Sequence, residues 1–380
     1  MDEARIRDAL TEALPESGLP GVAVAATRSD GQDVSLAIGR LSSADPAPVA
    51  EDTLFWIASM TKAVTSTAAL QLVGEGRLGL DDPVGAWAPE LAAPRVLEGF
   101  DAEGRPKLRP AKRPVTLRTL LTHTSGLAYD FVSADMNRWV AFSGAQLIGP
   151  ATPKDIPLMF DPGEGWIYGL SLDFVGRLIE AITGQDLGAA LAERIFRPLG
   201  MTSTTFARTA DQRARTAPMH ARLPDGGLAP IPFGLPDPPH FMMGGGGLYS
   251  TAADYLRFLR ALMGEESPLL PRPLLALLTT PQVTHPRPGA FASVRPDMSN
   301  DFDVFPGQPT GWTLGFLTNL EPGANGRSAG SLAWAGISNC YYWLDRQAGV
   351  AGVMLAQMLP FADPRALALF GKFERAVYGG

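Results

Sequence analysis

The sequence predicts a mixed α/β (α+β) fold, in which an antiparallel β-sheet flanked by helices carries an inserted all-helical domain. Strand patterns occur near both ends of the chain, whereas from Gly76 to Gly247 helices alternate with proline-rich loops and strand alternation is weak. At 380 residues, 46% of them hydrophobic, the chain exceeds one typical core. Because strands at the two ends belong to one sheet around a helical middle, we predict a sheet domain of residues 1–75 and 265–380 and a helical domain of residues 76–264.

The first 40 residues predict a helix followed by a β-hairpin. Residues 2–15 are charged and amphipathic, as in a surface helix. Strand patterns at 21–27 and 34–38 flank the sequence Ser29-Asp-Gly-Gln32, which is typical of a tight turn. We therefore expect these two strands to pair.

The remaining elements continue this scheme. Ser171 is predicted as the N-cap of its helix. Residues 284–310 are rich in Pro, Gly, Ser and Asp without periodicity, which predicts a long surface excursion of the kind that often borders an active site. The predicted helices span 116–122, 171–183, 186–197, 252–263 and 364–378, and the predicted strands span 311–318, 332–334, 339–345 and 349–358.

Charge and composition exclude several classes of partner. The net charge of −7 and the pI near 5.2 argue against nucleic acid and against an anionic membrane, so we expect a small neutral substrate. The single cysteine, Cys340, excludes an intrachain disulfide and a cysteine-based metal cluster. The start of the chain, Met1 to Leu10, lacks the apolar segment of a signal peptide, and no later run approaches a membrane span. We expect a cytoplasmic protein that uses no metal and no cofactor, and its oligomeric state stays open.

The segment Phe55-Trp-Ile-Ala-Ser-Met-Thr-Lys62 predicts a catalytic nucleophile. It leads into an alanine-rich helix that begins after Ser59 and ends at Gly74. Lys62 lies nearly one turn beyond Ser59, so its amine can reach the hydroxyl. A serine hydroxyl attacks well when a neighbouring base takes its proton, and a lysine is such a base where burial or nearby positive charge lowers its pKa. The alternative is an N-cap serine and a solvated lysine, which would not require apolar flanks.

Tyr168 is a second candidate for proton transfer. It lies just before a helix in a glycine-punctuated loop, residues 163–171. It can donate a proton to Ser59 or take one from it, helped by the positive charge of Lys62. Alternatively, Tyr168 only packs with Trp166 against the helical domain, and spacing alone leaves both interpretations open.

Other segments carry weaker signals. His123, in Thr-His-Thr-Ser-Gly, is predicted to fix the backbone by hydrogen bonding, and the other histidines lack the paired spacing of a metal site. Tyr129 is a candidate pocket residue, with a surface aromatic as the alternative. The glycine run 244–247 lacks the Gly-Lys-Ser/Thr ending of a phosphate-binding loop, so we predict tight packing beneath a site. The strand at 330–338 contains a glycine that permits close approach of a ligand, although an edge strand with an interior aromatic explains it too.

Five motifs together resemble one enzyme family. They match the serine β-lactamase-like family, which also holds D,D-peptidases, in type and in order over nearly the whole chain. They are most similar to its family VIII carboxylesterases, and the resemblance implies a β-lactamase/transpeptidase-like fold. The motifs are Ser59-Met-Thr-Lys62, Leu121-Thr-His-Thr-Ser-Gly-Leu127, Tyr168 in a Pro-Gly-x-x-x-x-Tyr loop, Gly244 to Thr251, and Trp334-Ala-Gly336.

The resemblance also implies roles for individual residues. Ser59 would be the nucleophile, Lys62 its partner and Tyr168 the general base. The oxyanion would be bound by the backbone N–H groups of Ser59 and Ile337, the residue after the Trp-Ala-Gly motif.

Two departures from class C β-lactamases change the predicted substrate. In those enzymes an asparagine follows the tyrosine by two residues and the late strand carries Lys-Thr-Gly, whereas this chain has Leu170 and Trp334-Ala-Gly336. Without that lysine a substrate carboxylate lacks a partner, while Leu170 and Trp334 suit an apolar acyl or alcohol group. We predict that Tyr129, Leu170, Trp334 and Gly336 contact the substrate.

The predicted function is hydrolysis of carboxylic esters with short to medium acyl chains, through an acyl-enzyme on Ser59. Within the same chemistry, β-lactam hydrolysis, D-aminoacyl peptidase activity and acyl transfer stay open. A non-catalytic ligand-binding relative is the third hypothesis. The presence of Ser59, Lys62 and Tyr168 together counts against it, because a binding module has no use for an activated nucleophile.

Overall fold

The computed structural model describes residues 1–148 and 155–380. Residues 149–154, which belong to the predicted helical domain, lie outside the described part. Within that part, none of the helices is long and apolar enough to cross a membrane. The helices are α1 (Glu3–Ser17), α2 (Thr61–Gly74), α3 (Leu117–Leu121), α4 (Ala134–Ser143), α5 (Ser171–Thr183), α6 (Leu187–Leu191), α7 (Arg197–Leu199), α8 (Ala210–Ala214), α9 (Ala252–Ala261), α10 (Arg272–Thr279) and α11 (Pro364–Tyr378). The strands are β1 (Gly21–Arg28), β2 (Asp33–Gly39), β3 (Phe55–Trp56), β4 (Arg95–Phe100), β5 (Pro106–Pro110), β6 (His220–Arg222), β7 (Leu228–Pro230), β8 (Tyr249–Ser250), β9 (Ala290–Phe291), β10 (Phe302–Asp303), β11 (Thr310–Trp312), β12 (Leu317–Asn319), β13 (Leu332–Gly336), β14 (Cys340–Asp345), β15 (Val350–Leu355) and β16 (Met358–Leu359).

One antiparallel sheet joins the two ends of the chain, as predicted. Its strand order is β11-β12-β13-β14-β15-β1-β2, so the N-terminal hairpin pairs with the C-terminal strands through β15. Helices cover both faces, because neighbouring residues of a strand point to opposite sides. In β14, Trp343 contacts Phe373 of α11 at 5.4 Å between ring centroids, while Tyr342 contacts Tyr255 of α9 at 5.1 Å. The predicted mixed α/β architecture is confirmed.

Helix α2 is buried on nearly all sides. Eleven of its fourteen residues are buried, which explains why its sequence is apolar and alanine-rich without an exposed polar face. Two of its threonine hydroxyl groups have backbone partners: Thr65 Oγ1 donates to the carbonyl of Gly244 at 2.7 Å, and Thr67 Oγ1 donates to that of Ala63 at 2.9 Å. Such a helix holds its first turn in a fixed position inside the molecule.

Several details differ from the predicted elements. Short strands occur where the pattern predicted none: β4 pairs with β5, and β6 pairs with β7 and, in parallel, with β16. The β4–β5 hairpin is half-exposed and bounded by prolines, so it lacks a clear alternation. The predicted helix 186–197 is α6 and α7 joined by a π-helical segment, Ala192–Phe196. Ser171 is the first residue of α5 rather than its N-cap, and its Oγ lies 2.9 Å from Ser125 Oγ.

Candidate active site

Ser59 lies in a 3₁₀ turn, Ala58–Met60, that leads directly into α2. Ala58 has a φ of +45°, a left-handed value that residues other than glycine rarely adopt. The carbonyl of Ile57 packs against Gly336 at the end of β13, where a Cβ atom would lie only 2.4 Å away. Backbone strain of this kind persists where the surroundings enforce it, and it is concentrated at functional sites. The end of β13 therefore holds in place the turn Ala58–Met60, which carries the predicted nucleophile and is called the nucleophile turn below.

Lys62, in the first turn of α2, is 1% exposed. Its Nζ donates to Ser59 Oγ at 3.1 Å, to the Tyr129 hydroxyl at 3.2 Å and to the Gly245 carbonyl at 2.6 Å. These three hydrogen bonds fix the position of the amine. The structure brings the amine to the serine hydroxyl, and its burial excludes the alternative of a solvated lysine.

Tyr168 is buried beside Lys62, whose Nζ lies 4.8 Å from the centre of its ring. Its hydroxyl oxygen accepts a hydrogen bond from Trp334 Nε1 at 3.1 Å. The indole of Trp334 thus holds the hydroxyl oxygen of Tyr168 in place. Its ring packs against Trp334 at 4.9 Å and Tyr129 at 5.4 Å, so it is not merely a packing partner of Trp166.

Tyr129 belongs to the polar centre of the site. It is 3% exposed, and its hydroxyl receives the hydrogen bond from Lys62. Burial, and then the negative charge of Asp173, raise the pKa of Tyr129 well above its ordinary value, which keeps the phenol neutral. Its position excludes a surface aromatic. Sequence spacing could not show the contact with Lys62, because 67 residues separate the two.

Asp173, a residue that the sequence analysis missed, lies in the first turn of α5 and is 2% exposed. Its Oδ1 accepts from the N–H of Gly245 at 2.9 Å, while Oδ2 has no hydrogen-bond partner among the described residues. Burial raises its pKa to about 6, opposed by the positive charge of Lys62. One signal was present: the carboxylate stands between Leu172 and Phe174 at the start of an apolar helix.

Ser59 opens onto a pocket that encloses about 490 Å³ of empty space, part of it open to solvent. Of the described residues that line it, none is charged. The excursion at 284–310 supplies part of the wall, because Phe291 stacks on Tyr168 at 6.2 Å between ring centroids. The lining residues are Trp56, Ala58, Ser59, Tyr129, Phe131, Ile148, Tyr168, Met243, Gly246, Phe291, Trp334, Ala335, Ile337 and Phe361.

Two predicted substrate contacts need correction. The structure brings Tyr129 and Trp334 to the pocket wall, but Leu170 and Gly336 are not among the lining residues. Leu170 is fully buried at the N-cap of α5, because that helix begins one residue later. Gly336 is covered by the carbonyl of Ile57. Both residues therefore pack beneath the pocket wall and do not form its surface.

Ile337, the predicted second oxyanion donor, lines the same pocket as Ser59. It belongs to the turn after β13, and that turn is tied to the segment before the nucleophile. Ser338 Oγ and Gln357 Nε2 both donate to the carbonyl of Trp56, at 2.8 and 3.0 Å. The turn is thus held against the nucleophile turn, as a pair of backbone oxyanion donors requires.

The predicted hydrogen-bonding role of His123 is wrong. Neither ring nitrogen has a partner among the described residues, although the backbone has a left-handed φ of +57°. The ring turns into an aromatic cluster, 5.1 Å from Trp312 and 5.0 Å from Tyr168 between centroids. Burial, and then the charge of Lys62, lower the pKa of His123 well below its ordinary value. The imidazole is therefore neutral.

Comparison with known proteins agrees with this geometry. The Beta-lactamase family model matches residues 6–374. The lovastatin esterase of Penicillium rubens is 33% identical over 96% of this chain and 96% of its own length, and the monacolin J acid methylbutanoyltransferase of Aspergillus terreus is 34% identical over 87% and 83%. The solved structure of simvastatin synthase (LovD) from Aspergillus terreus has a TM-score of 0.85 at 31% identity, covering 98% of this chain and 97% of that one. The chain therefore belongs to the beta-lactamase family and is an enzyme of the serine β-lactamase fold.

Proposed function

We propose that this enzyme cleaves neutral carboxylic esters through an acyl-enzyme on Ser59. The proposal rests on the hydrogen bond of Lys62 Nζ to Ser59 Oγ, 3.1 Å long, at the edge of an uncharged and largely aromatic pocket. The similarity to a chain named lovastatin esterase supports ester chemistry at this site.

In the first step, Ser59 Oγ attacks the ester carbonyl while its proton passes to the pair formed by Lys62 and Tyr168, one member of which enters the step unprotonated, as a neutral amine or a phenolate. The backbone N–H groups of Ser59 and Ile337 stabilise the negative charge on the carbonyl oxygen, each by roughly 3–4 kcal/mol. The bond to the alcohol oxygen then breaks, and the pair returns the proton to that oxygen. In the second step water attacks the acyl-enzyme, and the same groups move its proton to Ser59 Oγ as the acid departs.

The pocket suits neutral acyl groups of short to medium length. A carboxylate placed against the indole of Trp334 would lose its water without gaining a partner, since the described lining residues include no cation. The same argument makes anionic β-lactams poor substrates, although the proposed oxyanion donors would still serve them.

Acyl transfer to an alcohol is the second candidate. A chain that is 34% identical is named a methylbutanoyltransferase. Transfer needs only that an alcohol replace water as the group attacking the acyl-enzyme, with the same residues moving its proton. An apolar pocket beside a buried lysine favours an organic alcohol over water there.

Parallel assays with p-nitrophenyl butyrate and a chromogenic cephalosporin test the proposal, with Ser59→Ala as the control. We expect ester turnover to exceed cephalosporin turnover by orders of magnitude, and Ser59→Ala to abolish it. Efficient cephalosporin hydrolysis with esters left untouched would favour a β-lactamase instead. Added primary alcohol, with the new ester quantified by mass spectrometry, separates transfer from hydrolysis.

A further inference from the structure

We propose that Asp173 is a positioning residue for Lys62, acting through the backbone of Gly245. The inference rests on the proposed function, because it concerns the lysine that serves Ser59. It assigns a task to a buried carboxylate that none of the proposed chemical steps uses.

Three hydrogen bonds in series connect Asp173 to the nucleophile. Asp173 Oδ1 accepts from the N–H of Gly245 at 2.9 Å. The carbonyl of Gly245 accepts from Lys62 Nζ at 2.6 Å, and the same nitrogen donates to Ser59 Oγ at 3.1 Å. A shift of the carboxyl group is therefore transmitted to the lysine through one glycine residue.

The glycine run is packed so closely that α5 determines its position. A Cβ atom on Gly245 would lie 2.8 Å from Asp173 Oδ2, and one on Gly244 would lie 2.5 Å from the carbonyl of Leu172. From the other side, Thr65 of α2 donates to the carbonyl of Gly244 at 2.7 Å. The glycine run is therefore held between α2 and α5, and the carboxyl group of Asp173 provides a side-chain hydrogen bond from α5 to it.

Acidic residues in the first turn of a helix often serve only to stabilise the end of that helix. This role does not explain Asp173. Asp254 occupies the equivalent place in α9, and there it accepts from the N–H of Ser203 at 2.8 Å and pairs with Arg257 at 2.5 Å. Asp173 has Gly245 as its partner, and its Oδ2 is buried without one among the described residues. A half-satisfied buried carboxylate lowers stability, so its presence beside Lys62 indicates a functional task.

The charge of Asp173 has a second consequence. When the proton of Ser59 reaches Lys62, the resulting ammonium lies in the field of this carboxylate, which the low-polarity surroundings screen poorly. An asparagine keeps an acceptor for the Gly245 N–H but lacks the charge, whereas an alanine lacks both. The two substitutions therefore separate the hydrogen bond from the charge.

The test is a double-mutant cycle between Asp173 and Lys62, with kcat for a fluorogenic ester and the rate of Ser59 labelling by a fluorophosphonate as readouts. We expect Asp173→Asn to lower both about tenfold, because a charge-assisted hydrogen bond is roughly twice as strong as a neutral one. Asp173→Ala should lower them about 10²-fold through misplacement of Lys62. In a Lys62→Ala background neither change should have a further effect. Asp254→Asn, equally buried but bonded to Ser203, Thr204 and Arg257 instead of Gly245, is the matched control and should leave both rates unchanged per folded molecule.

A kcat for Asp173→Asn within twofold of the unaltered enzyme would overturn the inference, and so would a loss that persists when Lys62 is already alanine. The Asn variant decides the matter even where the Ala variant fails to fold. Ser59→Ala and Lys62→Ala, measured in parallel, distinguish a failure of the role of Asp173 from a failure of the proposed function. If Ser59→Ala abolishes turnover and Lys62→Ala lowers it at least about 10²-fold while Asp173→Asn stays within twofold of the unaltered enzyme, only the role of Asp173 fails, whereas full turnover by Ser59→Ala refutes the proposed function itself.

Discussion

In the proposed mechanism, proton transfer at Ser59 depends on two neighbouring side chains. Lys62 Nζ lies 3.1 Å from Ser59 Oγ and 4.8 Å from the centre of the Tyr168 ring. Acid–base help contributes about 10²–10⁴-fold, so Lys62→Ala and Tyr168→Phe should each lower kcat by about that factor. Because the two groups act as a unit, the double variant should lose little more than either single one. Steady-state kinetics test this, and losses that multiply would show two separate functions.

Trp334 has a polar contact as well as an apolar one. Its indole N–H donates to the Tyr168 hydroxyl at 3.1 Å, while its ring lines the pocket. Trp334→Phe keeps a ring but removes the donor, which at about 0.5–1.5 kcal/mol per hydrogen bond predicts a roughly 2- to 10-fold loss of kcat with KM nearly unchanged. Kinetics with one ester measure both constants. A rise in KM at constant kcat would mean that Trp334 only forms the wall.

Asp173 should make stability depend on pH. Burial raises its pKa from the ordinary 3.8 to about 6 in the folded protein. Because the pKa is raised, the carboxyl group does not lower the free energy of unfolding below about pH 4. As the pH rises through 6, the ionised carboxylate lowers that free energy by about 3 kcal/mol in all. Asp173→Asn should lack this loss, so its unfolding free energy relative to the unaltered protein should rise between pH 4 and pH 8. Urea unfolding at both pH values measures it, and a constant difference would contradict the shifted pKa.

At the scale of elements, the end of β13 supports the nucleophile turn. A Cβ atom on Gly336 would lie 2.4 Å from the carbonyl of Ile57, so Gly336→Ala must displace the backbone just before Ser59. A misplacement of about 1 Å costs roughly 10²-fold in rate, and we expect that loss in kcat. Gly264→Ala, whose Cβ would meet its nearest neighbour at 3.4 Å, is the control for glycine replacement. Equal activity of the two variants would show that β13 does not position the turn.

Helices were the most predictable elements. The predicted spans 171–183 and 364–378 agree with α5 and α11 residue for residue, because apolar periodicity continues up to the glycines that end them, Gly184 and Gly379. The β4–β5 hairpin was missed since its half-exposed side chains do not alternate clearly. Strand β6 lies beside β16, far along the chain, and no local pattern contains that pairing.

The site was predictable where its geometry is local. Ser59 and Lys62 are three residues apart, so helical spacing alone places the amine near the hydroxyl. Contacts made by the tertiary fold could not be predicted from local sequence patterns, because 67 residues separate Lys62 from Tyr129 and 183 separate it from Gly245. The position of Leu170 was predicted from a motif alone, and that prediction was not sufficient. Helix α5 begins at the next residue, so the side chain of Leu170 lies in the core.

At the scale of the whole molecule, distant parts of the chain meet at one serine. Helix α2 supplies Lys62, α5 supplies Asp173, the glycine run supplies an acceptor at Gly245, and β13 brings Trp334 to the pocket. Hydrogen bonds through the glycine run connect α2 with α5, and β13 belongs to the sheet that joins both ends of the chain. The proposed chemistry therefore depends on the complete fold, and its central claim is that the acyl group is carried by Ser59.

Mass analysis of the intact protein tests that claim most directly. The enzyme is incubated with a slowly turning ester or a fluorophosphonate, quenched, weighed and mapped by peptide sequencing. We expect a single adduct, located on Ser59 and absent from Ser59→Ala. An adduct on Ser125 or Ser171, whose hydroxyl oxygens lie 2.9 Å apart, or full ester turnover by Ser59→Ala, would contradict it.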